Sequence, residues 1–404
     1  MHVRNSRSRV RSSLFRLLAV GLIASTCHGE TVEKSTLFVS GEAGYDSYRI
    51  PALVTTPQQT VLAAAEARKH NRSDWGHIDL FFRRSADSGR TWEPARQLVG
   101  QNDLPPDVTP NPAEYANTKP AGITLNNPTW VTDAQSGKTL LLFCAEYMRA
   151  FVIESVDGGV SFSTPREITG TFETFRTRDG YAWRVIATGP GHGIQTTNGR
   201  LVVPVWLSTS TGGNAHHPSV CATIYTDDGG ATWHAGEIAA GRDDDVRDPS
   251  ETIVAETSPG RVMLNIRNES PHNRRAAVWS QDGATRWTHP IYLEDLWEPV
   301  CMGSITKLAN DTLVFANPAT LRPQARRPES LSRQRENLGL RTSIDQGRRW
   351  SAPLVIEPGP SAYSDLAVAP DGTVLCFYEQ GEKEPYEKMT VARIPAELLP
   401  APRP

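Results

Sequence analysis

Cysteine is scarce in this chain: 404 residues hold five. Cys144, Cys221, Cys301 and Cys376 sit mostly in apolar runs, which points to buried free thiols and away from the disulfide framework of a small secreted scaffold. Histidine is also sparse, with 10 copies. Neither His70 nor the pair His216-His217 has partners at metal-ligand spacing, so neither a metal nor another cofactor is expected. An excess of one charge is missing as well. The formal net charge is −3, which gives no basic face for nucleic acid or anionic lipid. No long helical hydrophobic period occurs, and no apolar run is long enough to span a bilayer comfortably.

The longest apolar stretch, Leu14 to Ile23, follows Arg4, Arg7, Arg9 and Arg11 and is succeeded by small residues up to Gly29. That order reads as a cleavable export signal over 1–29, leaving a mature chain from Glu30 in the periplasm or outside the cell. The segment carries five arginines and no acidic residue, so its removal takes the net charge from −3 to −8. Sequons occur at Asn71, Asn268 and Asn310. The first two lie close to the candidate site residues below, where a glycan would crowd the pocket, which favours a chain that never meets the glycosylation machinery.

Internal repetition organises the remainder. The pattern S-x-D-x-G-x-T-W is complete from Ser85 to Trp92. It returns at Ser155, Asp157, Gly159, Ser161 and Phe162, and at Thr226, Asp228, Gly230, Thr232 and Trp233. Two altered copies follow, around Asp282, where Ala284 replaces Gly, and around Asp345, where Arg349 replaces Thr. The aspartates are spaced by 70, 71, 54 and 63 residues. Asp can bond the amides of its own turn, Gly supplies a positive φ and the aromatic packs beneath, so each copy builds a hairpin turn. None has the alternating oxygen ligands of a calcium loop. Short apolar runs such as Thr60–Ala64, Thr139–Phe143, Leu201–Val205 and Val374–Tyr378 read as strands. The expected fold is all-β, one domain over 30–404, a six-bladed β-propeller of four-stranded antiparallel sheets. Long loops are expected at 101–120, 207–219 and 317–334. Gly189-Pro190-Gly191-His192-Gly193 lacks a strand-to-helix context for a nucleotide site and reads as a tight turn.

Three separated arginines stand out: Arg49 in Y-R-I-P, Arg267 in L-N-I-R-N and Arg335 in R-E-N-L. Guanidinium groups offer paired donors and a permanent charge, so three that converge would form a strong carboxylate trap. Their local wording, with Glu66-Ala67-Arg68 followed by Asp74, Ser250-Glu251, Ala362-Tyr363-Ser364-Asp365-Leu366, and Glu379 in F-Y-E, resembles the bacterial and animal exo-α-sialidases. The resemblance runs from Thr36 to about Ile394. It implies carboxylate binding by Arg49, Arg267 and Arg335, acid/base work by Asp74, a nucleophile at Tyr363 activated by Glu251, and support from Arg68 and Glu379. Sialylated oligosaccharides, glycoproteins or glycolipids are then the expected partners, and a monomer the expected state.

The chemistry suits that set. The carbon attacked already bears a carboxylate, which would repel an anionic Asp or Glu nucleophile, whereas a neutral phenol escapes the repulsion. A phenol with a pKa near 10 needs an adjacent base. Sequence leaves several alternatives open. Arg333 competes with Arg335 as third arginine, Glu256 with Glu251, and an outer-strand salt bridge with a site role for Arg68. Asn126-Asn127-Pro128 and Tyr181-Ala182-Trp183 are candidates for lining the pocket or for ordinary turns and packing. A non-hydrolytic propeller lectin, a structural propeller, and a trans- or anhydro-sialidase using the same site also remain.

Overall fold

The computed structural model describes residues 1–2, 31–110, 122–210, 216–320 and 333–403. The expected signal segment therefore lies outside the described residues except for its first two, as do the centres of all three long loops. Strands dominate, and the described residues contain one α-helix, Glu173–Thr177. Thr31–Pro404 form a single compact unit. Among the described residues no helix is long and apolar enough to cross a membrane.

Among the described residues, hydrogen bonding links the strands into five sheets. Two have four strands each: Ser47–Thr55, Val61–Arg68, Ile78–Ser85 and Arg96–Val99 in one, and Thr252–Ser258, Arg261–Ile266, Arg274–Ser280 and Ile291–Trp297 in the other. Two have five, because a short fifth strand joins a four-stranded meander. Gly191–His192 lies parallel to Leu125–Asp133, and Ile194–Gln195 adds to Leu201–Ser208. The last sheet has seven strands, since the 15-residue strand Leu354–Val368 pairs with Glu336–Ser343 through its first half and with Val374–Gln380 through its second. The N-terminal strand Glu33–Val39 closes that sheet by pairing with Lys388–Ile394 near the C-terminus. Six separate four-stranded sheets, as expected from sequence, are thus not what hydrogen bonding delivers. One long strand fuses what the repeat length would separate.

Both faces of the inner strands are buried, which explains their continuous apolar runs. In Lys138–Ala145, Leu140 and Leu142 pack toward Leu201 and Val203 of the next sheet, while Leu141 and Phe143 pack back on Leu62 and Ala64 of the previous one. Alternation of side chains along a strand produces this division. Similar apolar layers join each sheet to its successor, and the last packs on the first through Leu375 and Phe377 against Leu53 and Ala63. The two halves of the seven-stranded sheet also face each other, with Val314 and Leu340 against Leu366 and Cys376. All four described cysteines are buried with free thiols.

The repeated Asp motif is a self-contained turn. Asp87 accepts from Ser85 Oγ, Thr91 N and Thr91 Oγ1, while Gly89 N donates to Ser85 Oγ at 2.8 Å. Asp157, Asp228, Asp282 and Asp345 repeat the pattern. Burial would raise the Asp87 carboxyl, but the Thr91 and Ser85 bonds hold it down at about 2. The motif glycine does more than bend. Its α-carbon abuts the preceding sheet, so a Cβ on Gly230 (φ +88°) would lie 2.4 Å from Leu140 Cδ2. Gly230→Ala therefore combines a left-handed backbone with overpacking, and we expect a loss of about 2–4 kcal/mol. A denaturant midpoint would show it, with site chemistry unaffected in the folded fraction.

Candidate active site

Apart from Asp74, which lies in a loop, the candidate residues sit where strands begin, end or bulge. Arg49 lies on Ser47–Thr55 where the register slips before Ala52, and Ile50 takes a φ of +60° that a β-branched residue rarely adopts. Backbone strain of this kind persists only where neighbours hold it. Here Glu379 does so: its carboxylate accepts Ile50 N at 3.0 Å, Arg49 Nε at 3.1 Å and Tyr363 N at 3.2 Å. One fully buried carboxylate thereby fixes both Arg49 and the backbone of Tyr363. Tyr363 itself lies in a second irregularity, between Ser361 and Ser364 of its long strand.

Glu251 and Arg267 are brought together by strand register. Thr252 pairs with Ile266, so the residues one step outward face each other, and Ser250 N donates to Arg267 O at 3.0 Å. This accounts for their spacing of sixteen. Tyr363 Oη donates to Glu251 Oε1 at 2.7 Å, Arg267 Nη1 donates to Tyr363 Oη at 2.5 Å, and the same Nη1 contacts Glu251 Oε2. The Tyr363 ring is surrounded by Arg49, Arg335 and Arg267, whose Cζ atoms lie 5.1, 5.2 and 5.9 Å from its centroid. Burial pushes the phenol well above its ordinary pKa and Glu251 adds to this, against the downward pull of Arg267, Arg335 and Arg49.

Arg335 is the arginine at the tyrosine. Its Nη2 donates to Val300 O at 2.6 Å and its Nη1 to Tyr386 Oη at 2.9 Å, and among the described residues no carboxylate pairs with it. Arg333 lines the same pocket at the rim, half exposed, and donates to Glu269 at 2.8 Å. Glu256 caps a turn elsewhere, accepting from Thr197 N and Gly260 N.

Asp74 occupies the loop between Val61–Arg68 and Ile78–Ser85. Its Oδ1 lies 2.8 Å from Arg68 Nη1 and 3.6 Å from Arg49 Nη1. Its side chain is 42% exposed at the mouth, whereas Arg68 is 1% exposed and also ion-paired with Glu66 at 2.7 Å. Desolvation alone would raise the Asp74 carboxyl; Arg68 first and Arg49 second outweigh it and hold the group well below the ordinary carboxylate range.

The cavity these residues enclose measures about 270 Å³ and includes Asn127, Tyr147, Trp206, His216 and His217. Asn127 N is held by Glu66 Oε1 at 2.9 Å. Trp75, Tyr147, Trp206 and His216 form an aromatic wall beside Asp74, with neighbouring ring centroids 4.7 to 6.2 Å apart. Sequence reasoning missed this wall, and Trp206, within the apolar strand Leu201–Ser208, reads as core. Of Tyr181 and Trp183, the other aromatic candidates, Trp183 is buried in the core with its Nε1 donating to Phe172 O, and the partly buried Tyr181 packs against that core; neither lines the cavity. The Gly-Pro-Gly-His segment is not a plain turn. Gly191–His192 is a strand, and His192 Nδ1 lies 2.7 Å from Asp365, two residues beyond Tyr363.

His217, weighed from sequence only as a metal ligand, pairs with two acids. Nδ1 is 3.5 Å from Asp248, a distance at which the pairing is ionic, and Nε2 is 3.4 Å from Glu269. Asp248 and Glu269 together push its pKa up to about 9. A raised folded pKa gives stabilisation that is complete below the unfolded value of about 6.5 and lost as pH rises through about 9. His217→Gln should therefore be less stable than the parent at pH 6 by about 1–2 kcal/mol once solvent screening is allowed for, and equal to it at pH 10. Thermal unfolding at the two pH values checks this. Among the described residues no group of three or more His, Cys, Asp or Glu is arranged to hold a metal ion.

Residues 110–376 match the BNR repeat-like domain. The chain is 30% identical over 375 residues to a sialidase of Micromonospora viridifaciens, covering 88% of this chain and 53% of that protein. It is 30% identical over 417 residues to mouse sialidase-3, covering 88% and 92%. It thus spans about half the length of the first relative and nearly all of the second. The Hadza microbial sialidase Hz136 superposes with a TM-score of 0.71 at 24% identity, covering 91% of this chain and 69% of that one. On these relationships the chain belongs to the sialidase family of glycoside hydrolases, built on the BNR repeat-like domain.

Proposed function

We propose that the protein is an exo-α-sialidase that releases terminal sialic acid from glycoconjugates with retention of configuration. The observation that carries this reading is a phenol, Tyr363, hydrogen-bonded to a carboxylate inside a cage of three guanidinium groups. Arg335 is half-buried and, among the described residues, has no carboxylate partner, and a guanidinium taken partly out of water in this way favours an anion beside it. The substrate carboxylate is that anion in our reading, with Arg49 and Arg267 flanking it.

In the first step Tyr363 Oη bonds to the anomeric carbon, its proton passes to Glu251, and the bond to the departing glycosidic oxygen breaks. Because Arg267 Nη1 touches both Glu251 and Tyr363 Oη, moving that proton shifts negative charge between two atoms that contact one cation. Little electrostatic work is then needed, and the buried phenol can react without a low pKa of its own. Asp74 protonates the departing oxygen, then removes a proton from water as it attacks the anomeric carbon; the bond to Tyr363 Oη breaks and Glu251 returns its proton to that oxygen. Before substrate binds, Asp74 is a carboxylate held by Arg68 and Arg49. Binding of the substrate carboxylate draws on Arg49 and relaxes that hold, which lets Asp74 take up the proton it must deliver.

The same reading treats the seven-stranded sheet as two four-stranded blades sharing Leu354–Val368, giving a six-bladed propeller. The apolar layer between its two halves supports this. Export to the periplasm or medium rests on the basic and apolar N-terminal sequence. A pure lectin has no need of the Tyr363–Glu251 pair or of Asp74. Proton NMR of the product first released from α2,3-sialyllactose tests the function: the α-anomer of sialic acid is expected. The β-anomer would refute retention, an anhydro sugar would reassign the chain to intramolecular transfer, and saturable binding without release would reassign it to the lectin class.

A further inference from the structure

Tyr386 occupies the turn between Val374–Gln380 and Lys388–Ile394, and no motif points to it. Its ring covers the Arg49 guanidinium, 4.4 Å from Cζ to centroid, and its hydroxyl accepts from Arg335 Nη1 at 2.9 Å. One side chain therefore touches two of the three guanidiniums, which arrive from different sheets. The ring packs against the small apolar cluster of Ile50, Cys301, Met302, Ala362 and Tyr363, directly beside the phenol. The turn that carries it is fastened. Glu387 accepts the backbone N–H groups of Glu382 and Lys383 at 3.0 and 2.9 Å, and Ser40 Oγ donates to Tyr386 O at 2.7 Å. Glu384 of the same turn pairs with Arg72, two residues before Asp74.

We propose that Tyr386 is a positioning residue that sets the separation and direction of Arg49 and Arg335 before substrate arrives. Long guanidinium side chains lose much rotamer freedom on binding an anion, and the loss weakens binding unless they are already ordered. A face-on aromatic ring and a hydroxyl acceptor supply that order from one rigid side chain. The inference rests on the sialidase reading and deepens it, because it concerns how the carboxylate is gripped rather than how the bond is broken.

Steady-state kinetics of the full chain on α2,3-sialyllactose, with calorimetric binding of free sialic acid, tests it. Tyr386→Phe keeps the ring and removes the Arg335 bond, and should raise KM and Kd by roughly 3–10-fold with kcat within about twofold. Tyr386→Leu removes both contacts and should raise them by roughly 10–100-fold. Binding unchanged within twofold in the folded Phe variant, or a fall in kcat with no rise in KM or Kd, would overturn the proposal. If the Leu variant does not fold, the Phe variant decides alone. Absence of hydrolysis by the unsubstituted protein in the same series would instead refute the sialidase reading, and the inference with it.

Discussion

Tyr363→Phe is expected to lower kcat on α2,3-sialyllactose by roughly 10³-fold or more, while the protein stays folded and still binds sialic acid. Loss of one hydroxyl removes the nucleophilic oxygen and the donor to Glu251, yet leaves the ring among Arg49, Arg267 and Arg335. Glu251 keeps its contact with Arg267, so no buried charge is stranded. The fold should therefore tolerate the change to within about 1–2 kcal/mol, the usual range for one lost hydrogen bond. Parallel measurement of kcat, sialic acid affinity and thermal unfolding separates a chemical role from a structural one. If Tyr363 were only a packed aromatic, stability would fall and kcat of the folded fraction would not.

The second large effect concerns Asp74. Its replacement by Ala should reduce kcat/KM on sialyllactose by about 10²–10⁴-fold, the usual contribution of general acid catalysis. The loss should be much smaller, at most about tenfold, in release from an aryl sialoside whose phenol departs without protonation. That contrast identifies proton donation to the leaving group, because a residue that merely shaped the pocket would affect both substrates alike. Stability is expected to change little, since Asp74 is partly exposed and Arg68 keeps its buried partner Glu66. Equal losses on the two substrates would remove Asp74 from the acid role.

Local chemistry was the legible part of this sequence. The Asp motifs could be read as turns because their hydrogen bonds run between residues two to five apart, as from Ser85 and Thr91 to Asp87. Strands such as Lys138–Ala145 announced themselves through apolar runs buried on both faces. The candidate site residues came from family wording, and the structure gathers Arg49, Asp74, Glu251, Arg267, Arg335 and Tyr363 around one cavity. What was not legible depends on tertiary convergence. Tyr386 sits in a charged turn with no pattern of its own, and its importance comes from where the Arg49 bulge and the Arg335 strand end. Trp206 and Trp183 are both aromatic residues near apolar runs, but one lines the pocket and the other the core. Arg333 and Arg335 share one stretch of sequence ahead of Glu336–Ser343, and only tertiary partners separate them, Glu269 for Arg333 and Tyr386 with Val300 for Arg335. Blade boundaries escaped for a similar reason, since Leu354–Val368 runs through the place where the repeat predicts a break.

Trapping the covalent intermediate tests the central claim most directly. Fluorine beside the anomeric carbon slows both formation and breakdown of a glycosyl-enzyme, and a good leaving group restores the first step, so 2,3-difluorosialic acid should accumulate an adduct. Mass spectrometry of the digested protein is expected to place that adduct on the peptide carrying Tyr363, stoichiometric with lost activity and absent from Tyr363→Phe. An adduct on Glu251 or Asp74, or turnover of sialyllactose with no adduct formed, would contradict the account.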